Sequence, residues 1–184
     1  QKDYFYYITL VNENYAQPNV PLGCAQDVIR GCYLLKKAVV HTTNRQVTLL
    51  GSGAILNEVI RAADLLFEHG IHATVFSVTS WSELARDGKL VEKNQMTQKI
   101  DSKTGVDMAF ITQQLLQSAG LIIAATDYVH AVPESIRAYI PEGRKYITLG
   151  TDGFGRSDTR AVLRDYFGVD AQSIVQAVLA NIQE

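Results

Sequence analysis

The chain has 184 residues, 47% of them apolar and 20% charged, with a formal net charge of -2. That is enough for one domain with a substantial core plus an appendage, and the apolar share excludes intrinsic disorder. Interspersed acids and bases argue against nucleic acid or an anionic membrane as partner. No apolar run of about eighteen residues suggests a membrane span, and two cysteines, Cys24 and Cys32, read as free thiols of a reducing cytoplasm rather than a disulfide framework.

The sequence opens on a β-prone aromatic run, Tyr4 to Val11, followed by a polar, proline-containing stretch. It reads as the end of a preceding domain and its linker, residues 1–23, with the domain proper over residues 24–184. "VIRGCYLLKKA" then predicts a strand, and the short "HTTNRQ" would turn it antiparallel onto "VTLLGSG". In "AILNEVIRAADLLFEHG" the residues Ile55, Leu56, Val59, Ile60, Ala63, Leu66 and Phe67 recur at helical spacing, with Gly70 as the stop. "HATVFSV" is a strand, Lys89 to Gly105 a surface loop with at most a short helix, and "MAFITQQLLQSAG" a helix. "LIIAATDY", "VPESIRAYI" and "YITLG" continue as strand, helix and strand, before two closing helices, "TRAVLRDYFG" and "AQSIVQAVLANI". Alternation of this kind predicts a three-layer α/β fold: a mostly parallel sheet with one antiparallel edge strand and helices on both faces.

Four stretches carry candidate chemistry. Gly51-Ser52-Gly53 stands where a dinucleotide-binding loop would, but Leu56 replaces the third glycine and the next strand ends in Ser77-Val78 without a ribose-binding acid, so a tight structural turn is favoured. In "SVTSWSELARDG", Thr79, Ser80 and Ser82 read as candidate helix caps, with Glu83 as a capping-box partner for Ser80 and Trp81 and Leu84 buried; Glu83, Arg86 or Asp87 would face a cleft if this loop lines one. Asp127 and His130 are an acid/base candidate pair, with Asp127 as a helix cap ahead of Pro133 the favoured reading. His41, His69 and His72 read as exposed loop or helix-end residues, and no serine sits in a nucleophile elbow. In "LGTDGFGRSDTR", Ser157 is placed to cap the following helix and Asp158 to complement its positive end, leaving Asp152, Phe154 and Arg156 as interface candidates.

The blocks "TLLGSGAIL", "FSVTSWSELARDG" and "ATDYVHAVPESIRAYIP…LGTDGFGRSDTRAVLRDYFGVDA" together resemble the carboxyl-terminal domain of the homodimeric, thiamine-diphosphate-dependent pyruvate dehydrogenase component, a relative of transketolase. "YFYYITLVNENYAQP" resembles the end of that family's pyrimidine-binding domain. The resemblance implies a structural and dimerising role in a cytoplasmic enzyme that decarboxylates pyruvate, or another 2-oxo acid, and acetylates lipoyl groups. Its implied partners are the remaining domains of the same polypeptide, a homodimer mate and the dihydrolipoyl acetyltransferase component. Thiamine diphosphate and magnesium would belong to the full enzyme and not to this stretch. The family's Gly-Asp-Gly magnesium motif is broken here because Thr151 separates Gly150 from Asp152, and Asn181, which stands at about the family's spacing, is a decoy. No catalytic, cofactor-binding or metal residue carries over. An independent doubly wound small-molecule module using Gly51–Gly53 or Asp152–Ser157 is the competing reading.

Overall fold

The computed structural model describes residues 3, 5–8, 10–39, 45–97 and 108–182. Elements follow in the order α1 (Ala25–Arg30), β1 (Cys32–Lys36), β2 (Arg45–Ser52), α2 (Ile55–Glu68), β3 (Ile71–Val78), α3 (Trp81–Thr97), α4 (Phe110–Leu115), β4 (Leu121–Ala125), α5 (Ala131–Glu134), a 3-10 turn (Arg137–Tyr139), β5 (Tyr146–Leu149), α6 (Arg160–Tyr166) and α7 (Ala171–Leu179). The sheet has the order β1-β3-β2-β4-β5, with β2, β3, β4 and β5 parallel and β1 antiparallel on β3.

Successive strand side chains point to opposite faces, and here both faces are apolar. Val47, Leu49, Ile71, Val75, Leu121 and Ile123 pack under α2 and α7 with Val59, Leu66, Ile174 and Val178. Leu50, Phe76, Ile122 and Ala124 pack on the other face against Trp81, Leu84, Phe110 and Ile111. The continuous apolar runs of the central strands are therefore a consequence of burial on both sides. From β2 the chain winds through α2 to β3 on one side, then returns through α3 and α4 to β4 on the other. Connections thus diverge at the carboxyl ends of β2 and β4, which is where open α/β sheets leave a crevice.

Several expectations require correction. Val28 to Arg30 belong to a helix that Gly31 ends, and only Cys32–Lys36 is strand. That strand pairs with β3, Cys32 opposite Val78, and not with β2, because β2 has its two sides taken by β3 and β4. A short connection permits adjacency without imposing it. Residues 89–97 continue α3 rather than forming a loop: "KLVEKNQMT" is rich in helix formers, and the buried start of the helix at Trp81, Leu84 and Ala85 supplies the packing. The remaining part of that stretch, 98–107, lies outside the described residues, as does His41. "VPESIRAYI" is divided between α5 and the 3-10 turn. The described residues of the opening aromatic run form no strand; Phe5, Tyr7 and Leu10 are 94%, 90% and 88% exposed.

Candidate functional site

The crevice at the ends of β2, β3 and β4 has a volume of about 600 Å³ and is lined by Ser52, Gly53, Asn57, Ser80, Asp127 and Tyr128, with Val11, Tyr15 and Pro18 of the amino-terminal segment as one wall. Its floor is built for packing. A Cβ on Gly51 would stand 2.9 Å from Val59 Cγ2 and 3.0 Å from Leu56 Cα, so the absent side chain makes room for α2 rather than for a phosphate. Ser52 Oγ is shared with Thr126 Oγ1 at 2.7 Å and accepts from Trp81 Nε1 at 3.1 Å. The indole and both hydroxyls are thereby satisfied inside the core, as buried polar groups require.

On α3 the predicted cap is present: Ser80 Oγ accepts from the Glu83 N–H at 3.2 Å. The Glu83 carboxylate takes Arg86 instead of returning to Ser80, whose N–H donates to the Gly31 carbonyl. Arg86 lines a shallow groove between α3 and α5, whereas Glu83 lines neither this groove nor the crevice. Asp87 turns to structure: it accepts from the Phe110 N–H at 2.6 Å, starting α4, while Arg30 stacks 3.8 Å above the Phe110 ring.

His130 is paired, but with Asp152 rather than Asp127. The carboxylate of Asp152 accepts from the His130 N–H at 2.9 Å and contacts His130 Nδ1 at 2.9 Å. Thus Asp152, following β5, tethers the start of α5, and Asp127 lines the crevice without capping that helix. Thr151 Oγ1 donates to the Asp127 carbonyl at 2.7 Å, so the glycine-rich corner is stitched to the β4 loop by consecutive residues. Ser157 does not cap α6. Thr159 is its N-cap, accepting from Val162 N–H at 3.5 Å, and Asp158 Oδ1 accepts from the Thr159 N–H at 2.7 Å. The corner extends two residues further than its composition suggests before the helix begins.

Phe154 is 94% exposed, so it plugs no part of this core, and Arg156 stacks 4.9 Å over Tyr166. Tyr128, Val162 and Tyr166 are each about half exposed as well. Asn181 donates to the Ala177 carbonyl at 2.7 Å and lines a cavity with Arg45, Gly120 and Arg144 at the amino ends of the strands, opposite to Asp152 at their carboxyl ends. Asp152 and Asn181 therefore cannot share one ion, and Asp152 is already committed to His130. Among the described residues no group of three or more His, Cys, Asp or Glu is arranged to hold a metal.

Residue chemistry that sequence reasoning missed is mostly buried or half-buried. Among the described residues Arg144 donates to neutral acceptors, the Gly120, Leu115 and Ser118 carbonyls, Ser118 Oγ and Thr48 Oγ1, and burial lowers its pKa to about 10. It remains a cation at neutral pH. Glu134 holds Arg137 and accepts from Thr148 Oγ1 at 2.7 Å, and the Arg137 guanidinium keeps its carboxyl below the ordinary range. Burial pushes the Cys32 thiol up, which makes it inert, and Cys24 donates to the Pro21 carbonyl; neither cysteine is in a disulfide. His72 is half-buried on β3 and meets Phe67 edge-on, so it is not a loop residue. Glu58 accepts from Arg164 at 3.0 Å, Arg61 at 3.1 Å and the Ala171 N–H at 3.2 Å. A carboxylate inside the apolar stripe of "ILNEVIRAADLL" was the available signal.

Taken together, the strand order, the crossovers on both faces and the single antiparallel edge define a mixed-sheet α/β domain of doubly wound type, in which Ser52, Thr126, Thr151 and Asp152 at the carboxyl ends of the strands make structural bonds. Residues 31–170 match the family described as the transketolase-like TK C-terminal domain, and the chain belongs to that family. A protein of Cupriavidus necator named "Pyruvate dehydrogenase E1 component" is 42% identical over 185 residues, covering 100% of this chain and 20% of that protein. One of the same name from Pseudomonas aeruginosa is 45% identical over 188 residues, again 100% and 20%. The chain thus spans 20% of the length of these curated relatives. Transketolase from Campylobacter jejuni shares the fold, with a TM-score of 0.54 at 21% identity over 84% of this chain and 19% of that one. No described helix is long and apolar enough to cross a membrane.

Proposed function

We propose that this chain is the carboxyl-terminal structural and dimerising domain of a cytoplasmic pyruvate dehydrogenase component, residues 24–184, with residues 1–23 as the end of a preceding pyrimidine-binding domain and its linker. The observation that carries this reading is end-to-end similarity to relatives of that name, of which the chain is 20%. In the complete enzyme thiamine diphosphate supplies the electron sink on which a 2-oxo acid, pyruvate in the favoured case, loses carbon dioxide. The residues here do not fit that group: Asp152 is bound to His130, and Asn181 is at the other end of the strands. The acetyl unit would pass to lipoyl groups of a dihydrolipoyl acetyltransferase component, the partner of the whole protein.

Calorimetric titration tests the division of labour. This chain alone is expected to give no saturable, magnesium-dependent heat with thiamine diphosphate, whereas a polypeptide extended through the preceding domains is expected to bind it. Saturable binding by this chain would overturn the assignment.

The interface role falls to Phe154, flanked by Asp152 and Arg156, with Glu83 and Arg86 as a second polar site. An exposed aromatic beside an arginine is the composition of a contact centre. In the extended polypeptide, Phe154→Ala is expected to raise the dissociation constant of the dimer about tenfold, an ordinary loss for a central aromatic, measured by sedimentation. The stability of this domain should change by less than about 0.5 kcal/mol, because the ring is 94% exposed. Destabilisation of the domain with unchanged association would refute the interface role.

A further inference from the structure

Between Leu10 and Val20 only Tyr15 and Pro18 are partly buried, in a segment otherwise exposed along its length. Tyr15 is held by one arginine in two ways: Arg164 Nη2 donates to its hydroxyl at 2.9 Å, and the same guanidinium carbon lies 5.7 Å from the centre of its ring. The Tyr15 hydroxyl in turn donates to the Glu13 carboxylate at 2.7 Å, and Arg160, one helical turn before Arg164, donates to both Glu13 and Asn12. Arg164 does not depend on the segment for its position. Its other terminal nitrogen is fixed at 3.0 Å by Glu58, and the two side chains are 18% and 7% exposed.

We propose that α6, braced by Glu58 of α2, is a preformed receptor for the segment Asn12–Tyr15, and that this clasp sets the angle at which the preceding part of the polypeptide meets the domain. The second half of this claim rests on the reading of residues 1–23 as a linker. The chemistry selects tyrosine. A phenylalanine would keep the ring over the guanidinium but could neither accept from Arg164 nor donate to Glu13. Two arginines spaced by one turn fit an acid and a phenol two residues apart, and ordering Arg164 in advance lowers the entropy that docking must overcome. The clasp also forms one wall of the crevice and of a second cavity of about 330 Å³ beside α6, so its release would open both.

Hydrogen exchange on this chain, comparing the native sequence with Tyr15→Phe, tests the receptor. The guanidinium protons of Arg164, followed by NMR, are expected to exchange about fivefold faster in the variant, the effect of Nη2 losing its acceptor on Tyr15, with the amides of β2, β3 and β4 unchanged. Equal exchange in both proteins would overturn the receptor. Glu58 is unsuitable for this test because its replacement also disturbs the fold. In the extended polypeptide, the distance distribution between spin labels on α6 and on the preceding domain should broaden in Tyr15→Phe. Faster local exchange with an unchanged distribution would refute the positioning role. If the polypeptide has no folded domain before residue 1, the linker reading and the positioning role both fail, whereas the exchange result still decides the receptor.

Discussion

Glu58→Ala is expected to lower the unfolding free energy of this domain by about 3–5 kcal/mol, because it removes one partner of a buried ion pair and leaves the other in place. The stranded partner is Arg164, with its side chain 18% exposed, and the first N–H of α7, on Ala171, would lose its acceptor at the same time. Three elements meet at this carboxylate: α2 supplies it, α6 supplies Arg164, and α7 begins on it. Urea denaturation with an unchanged m-value would record the loss as a pure change in stability. Lys36→Ala is the control, since its 2.8 Å pair with Asp64 has side chains 54% and 64% exposed and is expected to be worth less than about 1 kcal/mol. Equal costs for the two variants would show that the Glu58 network is incidental to stability.

Gly120→Ala is expected to cost at least about 3 kcal/mol, through left-handed backbone strain and overpacking together. Gly120 has φ of 77°, and a Cβ there would stand 1.9 Å from the Gln46 carbonyl oxygen and 2.7 Å from its carbon. No rotamer relieves a clash between Cβ and backbone, so β4 would have to part from β2 at the start of their pairing. The Gly120 carbonyl also accepts from Arg144 Nε at 2.8 Å, so the movement would disturb the half-buried guanidinium. Thermal unfolding should shift down by about 10 °C for a domain of this length. A shift below about 2 °C would mean that the β2–β4 edge yields more easily than its packing implies.

Much of the architecture was legible because it depends on short-range periodicity. The apolar spacing from Ile55 to Leu66 defined α2, the continuous apolar runs marked β2, β3 and β4 as strands covered on both faces, and one antiparallel edge strand was rightly expected, although over residues 28–38 and on the wrong neighbour. The Ser80 cap and the burial of Trp81 and Leu84 were likewise local consequences of residue type at a helix start. Partner choice was not legible. Asp152 and Asp127 are both aspartates near His130, one of them much nearer in sequence, yet the distant one holds the imidazole because β5 lies beside β4 and brings its following loop against α5. Thr159 and not Ser157 is the cap, two residues further on, because either hydroxyl could accept from a helix N–H and the observed helix begins at Arg160.

By itself, then, the sequence determined the layers of the domain, most of its helices and strands, and the break in the Gly-Asp-Gly triplet at Thr151, since each of these is written in residues a few positions apart. Only the tertiary structure decided that β1 joins β3, that Asp152 is spent on His130, and that Arg164 is bonded to both Glu58 and Tyr15. Those pairings join residues separated by 22 to 149 positions. Which of several chemically equivalent acids, arginines or strand edges becomes the neighbour is set by the closure of the whole sheet, and no local pattern carries that information.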